Sequence, residues 1–295
     1  MKILFLGSSR FSKIVLEKMI ELGANVVAAI TQPDRPSGRG HVQTPTLVKS
    51  FCQSCGIEVF TFDKVRLHMQ EVKAIDYDLA VVASFGQILP EEFLSHRLAI
   101  NVHPSLLPKY RGATPIQSAL LNGDKMTGVT IMKVAKAVDA GDIILQKELP
   151  IGEEYYLELE EKLAILGGEL VMEAVAEIEQ GRAKFTPQND EMATLVQKLS
   201  KADGELDFSQ TAAQLVGRVR ALSEEIGCSF SVEGLPVKVK KFCDVSDNFF
   251  CSPGEVLQNK KRFVIGCSGG AVEIVSCLSP SGKTISGRDF LNGHN

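Results

Sequence analysis

The first 150 residues alternate short apolar runs with amphipathic stretches, and this alternation constrains the fold more than any other feature. Apolar runs at 2–7 and 25–30 flank a stretch, 11–22, whose apolar residues recur at helical spacing until Gly23 ends it. Further apolar runs follow at 57–60, 78–83, 98–102, 128–134 and 143–149. A strand, a helix and a strand in succession predict parallel pairing, so we expect a Rossmann-like, doubly wound α/β sheet. The first turn lacks G-x-G-x-x-G, so a dinucleotide is not indicated.

Two polar side chains stand at the carboxyl end of one of these runs. Asn101 and His103 alternate with Ile100 and Val102, so a strand places both on the same face, and Pro104 ends the strand. Open α/β sheets bind ligands at the carboxyl ends of their strands. The pair alone leaves two alternatives open. It is either a functional pair or a satisfied core histidine beside an asparagine that caps the turn.

Composition excludes several classes of protein. The chain has 295 residues, 44% of them hydrophobic and 23% charged, which is enough for two domains with ordinary cores. The net charge of −4 carries no overall signature of nucleic-acid binding. No apolar run reaches membrane length, and seven cysteines without a secretory signal predict reduced thiols. We therefore expect a cytoplasmic protein without membrane contact.

A loop rich in proline and glycine follows the second predicted strand. Residues 31–41 read Thr-Gln-Pro-Asp-Arg-Pro-Ser-Gly-Arg-Gly-His. The guanidinium groups of Arg35 and Arg39 can bind phosphate through paired N–H groups, or the loop is simply a solvated connection. Thr44 then predicts the cap of a helix that ends near Gly56.

With these motifs in place, the sequence resembles the formyltransferase superfamily that uses 10-formyltetrahydrofolate. The similar segments are Asn-Val-His-Pro-Ser-Leu-Leu-Pro at 101–108, Arg-Gly-Ala-Thr-Pro-Ile-Gln at 111–117, Thr-Gly-Val-Thr-Ile-Met at 127–132 and Asp-Ala-Gly-Asp at 139–142. The loop at 31–40 is similar to one branch in particular, the methionyl-tRNA formyltransferases. The match is dense over residues 1–150 and continues more weakly to the end of the chain.

The resemblance implies a catalytic trio of Asn101, His103 and Asp139. In formyl transfer an amine attacks the formyl carbon, producing an oxyanion and an ammonium that must lose a proton. An amide N–H of Asn101 can stabilise the oxyanion, and His103 can donate as imidazolium and take part in proton transfer to the leaving nitrogen. Asp139 can orient that ring if it lies within reach. This chemistry requires no metal.

The resemblance also implies contacts to both substrates. The expected tetrahydrofolate-binding residues are Phe85, Gly86, Gln87, Ile88, Ser105, Leu106, Leu107 and Pro108. The expected contacts to initiator methionyl-tRNA are Arg35, Arg39, Lys238 and Lys240. Lysines on a sheet edge also discourage pairing with other chains, so that alternative stays open for Lys238 and Lys240.

The predicted organisation has three parts. We expect a formyltransferase domain over 1–185, a polar linker over 186–204 with a short helix at 192–199, and a C-terminal domain over 205–295. In the last part a predicted helix, 211–222, precedes stretches typical of strands, two of them joined at Gly269-Gly270. The resemblance implies that these strands form a small β-barrel of the oligonucleotide-binding type.

Two segments depart from the family's pattern. The family usually carries a Pro-Trp-Pro-like segment after its Ile-Arg-Ala helix, whereas this chain reads Ser-Glu-Glu-Ile-Gly-Cys at 223–228 and contains no Trp. Tyr155 and Tyr156 stand where small polar residues are usual. The first departure concerns the tRNA side and leaves the residues for formyl transfer intact.

The resemblance implies formylation of the α-amino group of methionyl-initiator tRNA, with 10-formyltetrahydrofolate as donor, by a monomeric enzyme. Two other enzymes would share the catalytic trio: a sugar-nucleotide amine N-formyltransferase and a hydrolase that releases formate. From a different class, the chain could be a catalytically silent protein that binds RNA or folate. The intact trio argues against that alternative.

Overall fold

The computed structural model describes residues 1–37, 42–232, 234–247, 249, 251–259 and 261–293. The chain divides into two compact units, each built from several stretches of sequence. The first comprises Met1–Gly112, Met126–Pro150 and Glu160–Leu195, and the second Ala113–Lys125, Ile151–Leu159 and Val196–Asn295. The predicted boundaries at 185 and 205 assumed continuous domains. The second unit also takes in two short stretches from within 1–185.

Through residue 150 the elements are β1 (Ile3–Gly7), α1 (Arg10–Glu21), β2 (Val26–Thr31), β3 (Arg35–Ser37), β4 (Val42–Thr44), α2 (Leu47–Ser54), β5 (Glu58–Thr61), α3 (Met69–Ala74), β6 (Leu79–Ala83), α4 (Glu91–His96), β7 (Leu98–His103), β8 (Arg111–Gly112), α5 (Pro115–Leu121), β9 (Met126–Lys133) and β10 (Ile143–Pro150). Then come α6 (Tyr156–Glu179), β11 (Leu195–Val196), α7 (Ala212–Leu222), β12 (Cys228–Val232), β13 (Leu235–Asp244), β14 (Val256–Asn259), β15 (Arg262–Cys267), β16 (Gly270–Leu278), β17 (Thr284–Ser286) and α8 (Gly287–Asn292).

A seven-stranded sheet forms the centre of the first unit, in the order β10-β9-β7-β6-β1-β2-β5. The strands from β7 to β5 in this order run parallel, whereas β9 is antiparallel to β7 and β10 is antiparallel to β9. β1 and β6 are buried at every position, as expected of strands covered on both faces. Because the chain extends first to one side of β1 and then to the other, the sheet is doubly wound, which confirms the prediction.

The helix predicted to start at Thr44 needs a correction. Thr44 ends β4, whose backbone pairs with β3. The N-cap is Thr46, whose side chain accepts a hydrogen bond from the Lys49 N–H at 3.1 Å, and α2 begins at Leu47. The sequence contains threonines two residues apart, and pairing with Arg35 draws the first of them into a strand.

The predicted helix at 192–199 is wrong. The N–H of Arg111 donates to the carbonyl of Thr194 at 2.8 Å, and that of Ala113 donates to the carbonyl of Val196 at 3.2 Å. These carbonyls therefore accept hydrogen bonds from another segment instead of from a helical turn, and Leu195–Val196 is the short strand β11. The preceding Thr186 also pairs in both directions with Ile143, at 2.8 and 2.9 Å.

The second unit contains a curled antiparallel sheet in the order β12-β13-β16-β15-β14, with β17 paired to β16. The predicted hairpin is confirmed, since Cys267 pairs with Gly270 across a left-handed Gly269. The predicted helix is confirmed as α7, which Thr211 caps through the Gln214 N–H. α5 packs on α7 closely enough that a Cβ on Gly217 would lie 2.9 Å from the Leu120 carbonyl oxygen.

The unusual Tyr155 anchors the stretch 151–159 within the second unit. Its hydroxyl donates to the carbonyl of Phe242 at 3.4 Å, and the ammonium of Lys241 lies 5.5 Å from its ring centroid. Burial raises the pKa of Tyr155 to about 12. Arg220 adds hydrogen bonds to the carbonyl of Glu154, at 2.9 Å, and to that of Gly152, at 2.6 Å. The departure from the family's pattern at this position therefore has a structural role.

Candidate active site

Asn101 and His103 lie on β7, where the parallel part of the sheet meets the antiparallel strand β9. Asn101 pairs with Val82 on one side and Met132 on the other, and His103 pairs with Thr130. Asn101 is half-buried, and its side-chain amide makes no hydrogen bond to any residue that the structure describes. The amide can therefore donate to a ligand without breaking an internal contact.

His103 is 4% exposed, and each of its ring nitrogens faces an acceptor. Nε2 lies 2.9 Å from the carbonyl oxygen of Tyr110, which can only accept, so Nε2 carries a proton. Nδ1 lies 3.6 Å from Oδ2 of Asp139. The ring is therefore held at one nitrogen and faces a carboxylate at the other.

Both residues that face His103 have left-handed backbones. Tyr110 has φ +63° and Asp139 has φ +51°, and such a conformation costs a non-glycine residue about 1–3 kcal/mol. The N–H of Tyr110 donates to Oγ1 of Thr194 at 2.7 Å, and Oδ2 of Asp139 accepts from the Gly112 N–H at 2.9 Å. Strain of this kind is retained where the surroundings impose it, and it is concentrated at functional sites.

Sequence reasoning missed Gln188, which contacts the loop that carries Asp139. Its Nε2 donates to the carbonyls of Asp139, at 2.9 Å, and Gly141, at 2.7 Å. Its Oε1 accepts from Nε of Arg111 at 2.9 Å, and Nη2 of the buried Arg111 pairs with Asp190 at 2.7 Å. The predicted linker begins at 186, and no local pattern there signals these contacts.

The loop after β6 offers fewer side chains to a ligand than expected. The ring of Phe85 is 2% exposed and belongs to the core of the first unit. The side chain of Gln87 donates to the carbonyl of Phe62 at 2.7 Å and accepts from the Val65 N–H at 2.9 Å. Ile88, in contrast, is 84% exposed. Ile88 and the loop's backbone, including that of Gly86, are the parts open to a ligand.

The second predicted folate-binding loop, residues 105–108, is fixed by hydrogen bonds to neighbouring residues of the protein. Oγ of the buried Ser105 donates to the carbonyl of Lys109 at 2.6 Å. The N–H of Leu107 donates to Oγ1 of Thr130 at 3.1 Å, and Gln146 donates both to that oxygen, at 2.8 Å, and to the Leu107 carbonyl, at 2.9 Å. The two remaining predicted members, both half-buried, are Leu106 and Pro108.

The predicted tRNA contacts differ in their surroundings. Arg35 lies on β3 and donates to Oε1 of Gln32 at 2.7 Å, whereas Arg39 lies outside the described residues. The ammonium of Lys240 lies 3.0 Å from both the Ser223 carbonyl and the Glu224 carboxylate. Lys238 is exposed and has no ion pair with any residue that the structure describes.

The segment 223–228 is also fixed within the second unit. Glu224 pairs with Lys240, and Oε2 of Glu225 accepts from Nε2 of Gln117 at 2.8 Å. This acidic turn stands where the family usually has its aromatic segment. Within the described part of the chain, no three His, Cys, Asp or Glu side chains form a group that can hold a metal ion. None of the described helices is long and apolar enough to span a bilayer.

The profile of the formyl transferase family matches residues 1–175, and that of the formyl transferase C-terminal domain matches 198–295. The methionyl-tRNA formyltransferase of Lactobacillus gasseri is 37% identical over 297 residues, covering 99% of this chain and 95% of the relative. That of Enterococcus faecalis is 38% identical over 299 residues, covering 99% of this chain and 96% of the relative.

Solved structures show the same fold at lower identity. An N-formyltransferase from Helicobacter canadensis in complex with folinic acid and dTDP-3-aminofucose has a TM-score of 0.71 at 19% identity, covering 93% of this chain and 98% of that chain. HypX from Aquifex aeolicus in complex with tetrahydrofolic acid has a TM-score of 0.68 at 21% identity, covering 98% of this chain and 46% of that chain. The chain therefore belongs to the formyl transferase family, in the branch of the methionyl-tRNA formyltransferases.

Proposed function

We propose that this chain transfers the formyl group of 10-formyltetrahydrofolate to the α-amino group of methionyl-initiator tRNA. The observation that carries the proposal is the pairing of His103 with Asp139, 3.6 Å apart, beside the amide of Asn101, which has no hydrogen-bond partner among the described residues. The near full-length similarity to methionyl-tRNA formyltransferases supports this acceptor.

Asn101 stabilises the charge that develops on the formyl oxygen. Its amide makes no internal hydrogen bond with a described residue, so binding of the donor costs no existing contact. One such donor in a preorganised site contributes about 2.7–4 kcal/mol, a factor of about a hundred to a thousand in rate.

His103 donates its Nδ1 proton to the leaving nitrogen of the folate, because the Tyr110 carbonyl holds Nε2 whereas Nδ1 lies 3.6 Å from Oδ2 of Asp139, beyond hydrogen-bond distance. The Asp139 carboxylate faces the ring and stabilises its charge during this step. The Tyr110 carbonyl fixes one ring nitrogen, and the carboxylate faces the other. The Gly112 N–H fixes the carboxylate in turn, so the ring has a single orientation. The proton that the attacking ammonium loses can return the ring to its starting state.

The residues around the site fit a reduced folate, which has a flat, partly apolar ring system. Ile88 is 84% exposed on the loop after β6, and Val138, next to Asp139, is 62% exposed. Ligand sites are lined mostly by apolar side chains with a small number of polar groups. We propose that they cover the ring system of the donor while the backbone of residues 105–108 contacts it.

The acceptor side rests on fewer groups. Arg35 and Lys238 are the predicted cations that a phosphate backbone can reach, and Arg39 joins them in the proposal. We further propose that the chain acts as a cytoplasmic monomer.

The test is formyl transfer from 10-formyltetrahydrofolate to methionyl-initiator tRNA, run beside an amino-sugar nucleotide and a control without acceptor. Rapid formylation of the tRNA is the expected result. Transfer only to the sugar amine would overturn the proposed acceptor but leave the site, and release of formate without any acceptor would indicate a hydrolase.

A further inference from the structure

We propose that Gln188 is a positioning residue for formyl transfer: it holds the strained loop that presents Asp139 to His103. The inference rests on the proposed function, because it assigns a part in that same reaction to a residue of the predicted linker. Gln188 does not face His103 directly. It acts through the backbone of the loop.

The amide of Gln188 suits its three nitrogen and oxygen partners in one orientation only, and its nitrogen also lies 3.9 Å from Sδ of Met132. Its nitrogen donates to the carbonyl of Asp139, at 2.9 Å, and to that of Gly141, at 2.7 Å, and a carbonyl can only accept. Its oxygen accepts from Arg111 at 2.9 Å, and a guanidinium can only donate. Both amide hydrogens donate and the amide oxygen accepts. No other side chain of this length offers two donors and one acceptor in this arrangement.

The loop between β9 and β10 needs such support. Asp139 has φ +51°, and residues 135–138 before it are exposed. Gly141 lies so close to β9 that a Cβ there would stand 1.7 Å from the Lys133 carbonyl oxygen. A loop without the two hydrogen bonds can relax towards an ordinary backbone conformation, and this would turn the carboxylate away from His103.

The oxygen of the Gln188 amide contacts Arg111, which lies between the two residues whose backbones bind His103 and Asp139. Arg111 separates Tyr110, whose carbonyl accepts from His103, from Gly112, whose N–H donates to Asp139. Arg111 is 7% exposed and pairs with Asp190, and Thr186 ties the segment of Gln188 to β10. Gln188 therefore connects the loop of Asp139 to the segment that sets the positions of both catalytic side chains.

Because the amide of Gln188 is already bonded to Arg111, Asp139 and Gly141, its loss should lower kcat and leave both KM values nearly unchanged. Misplacing a catalytic group by about 1 Å can cost about a hundredfold in rate, so we expect a fall of about tenfold to a hundredfold for Gln188→Met. Gln188→Glu keeps the contact with Arg111 but sets a carboxylate oxygen against two carbonyls. Its kcat should fall at least as far as that of Gln188→Met. Its melting temperature should fall less, because the contact with Arg111 remains.

Two matched variants separate this role from a general effect on the fold. Gln146→Met removes the corresponding hydrogen bonds from the Leu107 carbonyl and from Thr130, so it should mainly raise the KM for the folate. Gln70→Met, on the exposed side of α3, should change neither parameter.

The decisive experiment is a double-mutant cycle with Asp139→Asn, measured as single-turnover formyl transfer to methionyl-initiator tRNA. If Gln188 acts through the carboxylate, Gln188→Met should cost less than about twofold once that carboxylate is gone. Independent, multiplying losses would overturn the proposal, as would a Gln188→Met variant with wild-type kcat.

A second readout does not depend on the acceptor. In ¹⁵N spectra of the imidazole rings, the Nδ1 signal of His103 should change in Gln188→Met and stay unchanged in Gln146→Met. An unchanged His103 signal in both variants would contradict the proposal. If the wild-type protein is inactive on tRNA but the His103 signal changes in Gln188→Met alone, the proposed function is overturned, whereas the positioning of Asp139 by Gln188 is supported.

Discussion

Asn101 and His103 occupy alternate positions on one strand, yet of their side chains only that of His103 has a hydrogen-bond partner among the described residues. The imidazole faces the Tyr110 carbonyl and the Asp139 carboxylate, whereas the amide of Asn101 faces no described partner. Folding therefore fixes one member of the pair and leaves the other ready for a ligand. This difference separates their expected effects on stability and on catalysis.

Asn101→Ala should lower kcat by about a hundredfold to a thousandfold, because it removes the proposed donor to the oxyanion. The melting temperature should stay close to that of the wild type, since no hydrogen bond to a described residue is lost. Single-turnover kinetics and thermal unfolding of the same preparation provide the measurements. Turnover at the wild-type rate would remove Asn101 from the mechanism.

Asp139→Asn should abolish most activity without unfolding the protein. Asparagine tolerates a left-handed backbone, and its oxygen can still accept from the Gly112 N–H, so the free energy of unfolding should change by less than about 1 kcal/mol. The variant lacks the carboxylate that faces the ring during the proposed proton transfer, and we expect kcat to fall at least about a hundredfold. Asp63→Asn, an exposed residue of the same unit, provides the control for the loss of one charge. Equal kcat values in the two variants would refute this role of Asp139.

The alternation of residues 100–103 was enough to predict that Asn101 and His103 share a face, because strand geometry imposes a period of two. The hairpin at Gly269 and the cap at Thr211 were also predictable, since each depends on neighbouring residues. These features need no knowledge of the rest of the chain.

Contacts between distant residues could not be predicted in the same way. Gln188 lies 49 positions from Asp139, and its segment is polar, so local pattern favoured a linker. The local pattern also predicts a helix at residues 194 and 196, yet their carbonyls accept hydrogen bonds from Arg111 and Ala113. The same limit applies to Gln87, whose side chain is used by the backbone of Phe62 and Val65. In each case a tertiary hydrogen bond decides the outcome.

Cys52 on α2 and Cys55 at the end of this helix should differ in their reaction with iodoacetamide. Burial raises the pKa of Cys52 to about 11, so at pH 8 about one thiol in a thousand is ionised, and the side chain is inaccessible as well. Cys55 is exposed. Mass spectrometry of the native protein should find Cys55 alkylated and Cys52 intact, and equal labelling would contradict the burial of Cys52.

Tyr155 should make the stability of the protein depend on alkaline pH. Burial raises its pKa from 10.0 to about 12, so the folded state holds this proton more tightly than the unfolded state. The resulting stabilisation is complete below pH 10 and is lost as the pH rises through 12. Tyr155→Phe should therefore weaken the fall in unfolding free energy between these values, measured by urea denaturation. An identical slope in both proteins would exclude this contribution.

Lys238 and Lys240 lie on the same strand, but their substitution should affect the reaction differently. Lys240 contacts the Ser223 carbonyl and the Glu224 carboxylate, whereas Lys238 has no ion pair with any described residue. Lys238→Ala should raise the KM for methionyl-tRNA and reduce the slope of log KM against log salt by about one, as expected when one phosphate contact is lost. Lys240→Ala should mainly lower the melting temperature, because it leaves the turn at 223–228 without its cation.

The comparison between the two lysines tests which of them reaches the acceptor. Both variants carry the same change in charge, so a general electrostatic effect on tRNA would raise KM equally and shift the salt dependence equally. A larger rise for Lys238→Ala, with the KM for the folate unchanged in both, indicates a phosphate contact at Lys238. If Lys240→Ala gives the larger rise, then tRNA binding must displace Glu224 from this lysine, and the acidic turn would take part in recognising the acceptor.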